Sequence, residues 1–590
     1  MIGKMNLAVS LNEYGTISLP LREDLSLADN DYIQGRLSIT KEDNLYIIYA
    51  HIECVKYPYD YFRSFSPEHS LELEIPMQER IYQALAIEKY NPFWTTPVFF
   101  DNEKGENGRH IQQLLLKVGN KYIHIMPVSD EHCTQEIGYE AAEKAIRLFS
   151  NCHCVSNTKI NGAIALFSES DDPYKAIEAN YTAAYKHGII KTPLKREKHY
   201  PQQLEGLGWC TWNAFYHEVT EDGIEKKLIE LREKGIRLDW LIIDDGWSVV
   251  RDFKLQDLKE DRNKFPSGLR IFIKKLKKEY GVRYVGVWHA FTGYWFGIDK
   301  DSELYQEQKE NLVETDGGLI LPAGEYEKAY AFYSTWHKYL REQGVDFLKV
   351  DAQGNASEFY RGLSDGNARV IAMHEAIERS VKENFGGAMI NCMGLGNLDA
   401  YWRNTSAVVR NSDDFFPEKQ DGFRSHIEQN AYNAVFNSRL YYCDYDMWWT
   451  KHVSAKQSSV LRAISGGPVY ISDKVGETEV GYIKQLLNED GSITRYEEAA
   501  RPTFDCLFGY DKVIKLFNYK YENGLKKYII GLFNISDEAV CITFRVSDVV
   551  PDSNNSDGYT WIVNGQKIGG NDHIQMEIGA SDVEVFCLVQ

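Results

Sequence analysis

The chain has 590 residues, more than one hydrophobic core organises, so two to four domains are expected. Hydrophobic residues make up 43% and charged residues 26%, a balance that excludes extended disorder. The formal net charge of −20 sets the chain against nucleic acid and anionic membrane surfaces as partners.

Met1 to Leu11 carry no apolar signal core, and nowhere do about eighteen apolar residues run together, so no membrane span is expected. The chain reads as cytoplasmic, although a removed signal peptide would leave no trace. Its ten cysteines are scattered, which argues against a disulfide framework. The tightest cluster, Cys152-His153-Cys154, lacks a second ligand pair at zinc spacing, so no metal is assigned.

Short alternating runs open the chain: Thr16 to Leu21, Leu45 to Glu53, Ser70 to Ile75, His110 to Lys117, Tyr122 to Pro127 and Gly162 to Ser168. Strands of this length between turn residues predict an N-terminal antiparallel β-sandwich over 1–195, with Pro193 to Pro201 as the linker. From Leu207 the period changes. Eight apolar runs now alternate with helical patterns: Gly208 to Trp212, Trp240 to Asp244, Tyr284 to Trp288, Phe347 to Asp351, Ala388 to Cys392, Ser406 to Arg410, Leu440 to Asp444 and Pro468 to Ser472. Between the first two, Ile224, Leu228 and Leu231 share one helical face. Only Met393 to Thr405 is too short and glycine-rich for a full connecting helix. The pattern predicts a multidomain α/β protein with a central (β/α)₈ TIM barrel over 196–500, a doubly wound sheet being the competing architecture. Helical periods stop after Arg501, and five strand-like runs predict a small C-terminal β-sandwich over 501–590.

Barrel chemistry gathers at the C-terminal ends of the strands. There the second strand ends Asp244-Asp245-Gly246-Trp247, the fourth Lys349-Val350-Asp351, and the sixth continues Arg410-Asn411-Ser412-Asp413-Asp414. Two of these carboxylates about 5 to 5.5 Å apart would suit retaining glycoside hydrolysis, one as nucleophile and one as proton donor. An isolated strand-end Asp is more often a cap or turn former, but three such ends flanked by Trp247, Trp288, Lys349 and Arg410 favour a site. Metal catalysis would want histidines, and only His289 stands at a strand end. Lys349 lies two residues before Asp351 and so points the same way, either to keep Asp351 ionised and bind a hydroxyl or as a structural ion pair. Gly394-Leu395-Gly396 does not complete a dinucleotide fingerprint, because Asp399 takes the third glycine's place; no cofactor is expected.

The runs Gly208-Trp209-Cys210-Thr211-Trp212, Leu241-Ile242-Ile243-Asp244-Asp245-Gly246-Trp247, Lys349-Val350-Asp351, Arg410-Asn411-Ser412-Asp413-Asp414-Phe415 and Gly467-Pro468-Val469-Tyr470-Ile471-Ser472-Asp473-Lys474 resemble the raffinose synthase and alkaline α-galactosidase (seed imbibition protein) branch of glycoside hydrolase family 36. Phe93-Trp94-Thr95-Thr96-Pro97 and Asp444-Tyr445-Asp446-Met447 extend the likeness. The resemblance implies Asp351 as nucleophile and Asp414, four residues after Arg410, as acid/base, with Asp413 the second choice. It further implies substrate binding by Arg410 and Lys349, by Asp244 and Asp245 at O4 and O6 of an α-galactosyl group, and by pocket walls Trp209, Trp212, Trp247 and Trp288 beside Cys392. The implied activity is a retaining α-galactosidase acting on an oligosaccharide or glycoside. Galactosyl transfer as in raffinose synthesis, or hydrolysis of a different α-linked sugar, are the alternatives. The sequence departs from the family pattern at Asn213, Tyr445 and Val475, where Asp, Trp and Pro are usual.

Overall fold

The computed structural model describes every residue except 1–4, 12–14, 20, 23, 28–31, 56–67, 78, 102–107, 141–144, 154–156, 420, 552–557 and 570–571. Cys154 of the candidate thiol cluster therefore lies outside the described residues.

Eight parallel strands form the centre: β1 (Leu207–Cys210), β2 (Trp240–Ile243), β3 (Tyr284–Ala290), β4 (Phe347–Asp351), β5 (Met389–Asn391), β6 (Val408–Arg410), β7 (Tyr442–Asp444) and β8 (Val469–Ile471). Their hydrogen-bonded order is β7-β6-β5-β4-β3-β2-β1-β8, each neighbour parallel, which is a barrel and not a doubly wound sheet. Between β7 and β8 side chains close the ring. Tyr470 Oη donates to Asp444 Oδ2 at 2.9 Å. Gly467 passes so near Cys443 that a Cβ there would lie 1.9 Å from its carbonyl oxygen. Helices such as Glu221–Glu233, Leu269–Glu279 and Tyr326–Glu342 return the chain between strands and bury one apolar face, as Leu269, Phe272, Ile273 and Leu276 show.

Parallel register makes paired residues face the same way, and it divides the barrel interior into two levels. At the lower level Trp240, Phe347 and Tyr470 form an aromatic plug, with Trp240 ring centroids 5.8 Å from Phe347 and 5.2 Å from Tyr470. Gly208 and Gly286 make room for it: a Cβ at either would lie 2.4 Å from the facing ring of Trp240 or Phe347. Charged side chains begin one level higher.

The N-terminal region is antiparallel, and its twelve strands are joined in one branched sheet. The branch lies at Gly108–Val118, which pairs with Thr134–Glu140, Ile81–Lys89 and Lys121–Pro127. A helix that the strand pattern did not anticipate, Pro173–Lys186, is capped by Asp172, whose carboxylate accepts from Tyr174 N and Lys175 N, and leads into the barrel. After Arg501 a six-stranded and a two-stranded antiparallel sheet complete the fold. The largest apolar core runs from the barrel into both flanking regions, through Leu85, Trp94 and Leu115 on one side and Ile514 and Phe533 on the other. No helix among the described residues is long and apolar enough to cross a membrane.

Candidate active site

Asp351 is the last residue of β4 and is only 6% exposed. Its Oδ2 accepts from Trp288 Nε1 at 2.9 Å and its Oδ1 from the next backbone N–H, Ala352, at 2.9 Å. Ala352 itself adopts a left-handed φ of 57°. Burial pushes the Asp351 carboxyl above the usual carboxylate range; the Lys349 charge opposes this and the Asp414 charge adds to it. Asp414 is therefore close enough for its charge to act on Asp351.

Lys349 does not bond to Asp351. Its Nζ donates to Asp244 Oδ2 at 2.8 Å, so its ion pair is made to β2 and not to its own strand neighbour. Burial is the largest single influence and would favour the neutral amine, but the surrounding negative charges, Asp244 first and Asp351 among them, together outweigh it and keep Lys349 well above its ordinary range. Cys210 Sγ also donates to Asp244 Oδ2, at 3.1 Å, and Asp244 Oδ1 accepts Asp245 N at 2.9 Å. Asp245 is met by three ring donors: Tyr294 Oη at 2.7 Å, Trp295 Nε1 at 2.9 Å and His217 Nε2 at 3.2 Å. Both carboxylates are thus tightly held by protein groups.

On the opposite side Arg410, fully buried at the end of β6, bonds through Nη2 to Asp414 Oδ1 at 2.8 Å and pairs through Nη1 with Asp446 Oδ1 at 2.8 Å. Its Nε and Nη1 are buried with no hydrogen-bond acceptor of good geometry among the described residues. Asp414 stands four residues past the strand end with its side chain 32% exposed. Asp413 is differently engaged. Its Oδ1 accepts Asp414 N at 2.7 Å and its Oδ2 accepts Tyr90 Oη at 2.8 Å, and burial pushes its carboxyl upward.

Tyr90 comes from the N-terminal region, on a turn where Asn91 Oδ1 accepts from Phe93 N and Trp94 N. This turn reaches the barrel: Phe93 O accepts Leu395 N at 3.2 Å, a Cβ at Gly354 would lie 2.5 Å from Pro92 O, and the Arg410 guanidinium stacks 5.5 Å from the Trp94 ring. Cys392 is buried beside Asp351, and burial together with that carboxylate pushes its thiol well above the ordinary range, so it stays protonated.

The four tryptophans named from sequence separate. Trp288 touches Asp351 directly, and Trp247 donates its Nε1 to the Trp288 carbonyl at 2.7 Å, supporting it from behind. Trp212 is half-buried at the rim, its ring 5.2 Å from Tyr216 and 5.3 Å from His217. Trp209 is not a pocket wall. Strand alternation turns it away from Cys210 into the core behind the barrel, where it packs edge-on to Phe215.

Sequence reasoning passed over His217, Tyr294 and Trp295 around Asp245, Tyr90 on Asp413, and the pair Asp444 and Asp446. Asp446 lies inside a quoted motif but carried no assigned role; although buried, it is kept well below the ordinary carboxylate range by Arg410 and His426. Burial, partly opposed by Arg410, pushes Asp444 up to about 6.

The family described as raffinose synthase or seed imbibition protein Sip1 matches residues 119–257 and 249–573. Among curated proteins, the chain is 34% identical over 418 residues to probable galactinol–sucrose galactosyltransferase 6 of Arabidopsis thaliana, covering 63% of this chain and 54% of that one. It is 30% identical over 463 residues to probable galactinol–sucrose galactosyltransferase 1 of the same plant, covering 69% and 59%. The chain therefore spans less than two thirds of the length of these relatives. Among solved structures, α-galactosidase AgaA from Geobacillus stearothermophilus aligns with all of this chain and 89% of its own at a TM-score of 0.59 and 13% identity, a likeness of fold alone. With the family match running through the barrel and its strand-end motifs, the chain belongs to the raffinose synthase and seed imbibition protein family, within glycoside hydrolase family 36.

Proposed function

We propose that the protein is a retaining α-galactosyl-transferring enzyme, passing a galactosyl group from an α-galactoside to a sugar hydroxyl by double displacement. The observation that carries the reading is the facing pair: a buried, doubly hydrogen-bonded Asp351 and a partly exposed, arginine-tethered Asp414 at one barrel mouth. An Asp351 oxygen attacks the anomeric carbon while the bond to the leaving oxygen breaks, and that oxygen takes the Asp414 proton. In the second step an acceptor hydroxyl gives its proton to Asp414 as its oxygen bonds the anomeric carbon and the Asp351 ester breaks. Two inversions leave the α configuration unchanged. Arg410 serves the reacting sugar's side next to Asp414, while Asp244 and Asp245 line its far side. The names of the relatives support transfer over hydrolysis.

Hydrolysis is the second reading, supported by the fold match to an α-galactosidase. Product analysis of an α-galactoside with and without sucrose distinguishes the two. Transfer predicts that an α-galactosylated acceptor dominates when sucrose is present. Free galactose formed at the same rate with or without sucrose would leave hydrolysis, and no consumption of any α-galactoside would end both readings.

A further inference from the structure

Next to the site lies a cavity of about 510 Å³ lined by Trp212, His217, Phe253, Trp295 and Phe296. These residues come from three consecutive loops at the C-terminal ends of β1, β2 and β3. Phe253 and Phe296 are 55% and 47% exposed, an unusual amount of bare aromatic surface for one patch.

The way Phe253 is presented is equally unusual. It sits in the two-residue turn between the paired residues Arg251 and Lys254 of a hairpin inserted after β2. Such a turn needs positive φ at both central positions and ordinarily takes Asn-Gly. Here Asp252 and Phe253 adopt φ of 50° and 57°. The strained phenylalanine is held in place, because its carbonyl accepts Phe296 N at 2.9 Å and Leu255 N donates to Gly297 O at 2.9 Å. Strain maintained this way at a solvent-facing ring points to a use outside the fold.

The cavity is continuous with the chemistry on two sides. The Trp295 ring lies 5.9 Å from Trp288, the donor to Asp351. Trp212 packs on Tyr216, whose hydroxyl donates to Glu418 at 2.7 Å in the loop that carries Asp414, and Asn213 Nδ2 donates to Phe415 O there at 3.4 Å. The β1 loop thus borders both the cavity and the proton donor for the leaving oxygen.

The occupant's chemistry follows from the lining. Trp295 and His217 already spend ring nitrogens on Asp245, and no lysine or arginine lines the cavity, so an anionic ligand finds no partner. We infer that this aromatic cavity is the subsite for the non-galactosyl half of the substrate, the leaving group of the first step and the acceptor of the second, held as a neutral ring by its apolar face. The inference rests on the proposed galactosyl-transferring activity and adds residues that select its second substrate.

The test compares the wild type with a Phe253→Ala/Phe296→Ala double variant on two donors, 4-nitrophenyl α-galactoside and methyl α-galactoside. Each substrate is compared with itself across the two proteins, so leaving-group reactivity cancels. The expected result is about a tenfold rise in KM for the nitrophenyl donor, the scale of one or two aromatic contacts, with less than a twofold change for the methyl donor. Equal losses on both donors, or none on either, overturn the subsite while the activity stands. If the wild type turns over neither donor, the activity reading is the one that fails. The subsite is then decided by calorimetric titration of the nitrophenyl glycoside: affinity about tenfold weaker in the double variant supports it, and equal affinity or no binding to the wild type overturns it.

Discussion

Asp351 and Asp414, near enough for one charge to act on the other, are held by supports of opposite kind. Asp351 ends a barrel strand, and its two oxygens are fixed by an indole and by the adjacent backbone N–H. Asp414 lies beyond the end of its strand, held by one guanidinium, while its neighbour Asp413 is tied to Tyr90 of the N-terminal region. A nucleophile must meet one carbon at one distance, so rigidity serves it. A proton carrier serves two different oxygens in turn, and partial exposure suits that. The barrel therefore sets the position of the proposed nucleophile, whereas the proposed acid/base adjoins a residue tied to the N-terminal region.

The sharpest way to break this contrast is to remove each carboxylate. Asp351→Asn should lower kcat by at least about 10⁴-fold on every substrate, with its melting temperature near that of the wild type. Turnover within tenfold of wild type would transfer the nucleophile's role elsewhere. Asp414→Asn should cost about 10² to 10⁴-fold on a sugar leaving group but far less on a nitrophenyl one, which leaves without a proton. Equal losses on both would show that Asp414 is not the proton donor.

Lys349→Met tests the rigid side. It removes the cation that favours ionised Asp351 and leaves Asp244 buried without a counter-charge, at a cost of about 3 to 5 kcal/mol in chemical denaturation. Because Asp351 must be ionised to attack, activity falls as pH drops through its raised pKa. Losing Lys349 raises that pKa further, so the acid limb of kcat/KM should move to higher pH. An unmoved limb would detach Lys349 from the nucleophile. The smallest effect is expected on the other side: Tyr90→Phe forfeits one hydrogen bond to Asp413, about 1 kcal/mol or roughly fivefold in kcat/KM. The loss should fall on turnover with the melting temperature near that of the wild type, since the bond adjoins the proposed proton carrier. A loss of activity that follows a matching loss of stability would make the contact merely structural.

The two halves of the mouth were also unequally legible before the structure. Asp351 and Lys349 fall two apart on a strand, so alternation alone puts them on one face. The same alternation, applied to β1 with Cys210 as reference, would have turned Trp209 outward. Asp245's partners were hidden because His217, Tyr294 and Trp295 sit in loops after β1 and β3, and no periodicity relates loop residues across strands. Tyr90 was beyond reach for the same reason, separated from Asp413 by more than three hundred positions.

What the sequence determined by itself was the succession of eight strands and their helices and the set of carboxylates at their ends, because hydrophobic period and chain order are local properties that survive any packing. Only the tertiary structure decided which charges pair. Lys349 chose Asp244 over its own strand neighbour, and Arg410 divided itself between Asp414 and Asp446. A buried charge is satisfied by whichever opposite charge the closed barrel brings within bonding distance, and that distance exists only after the eight strands have met.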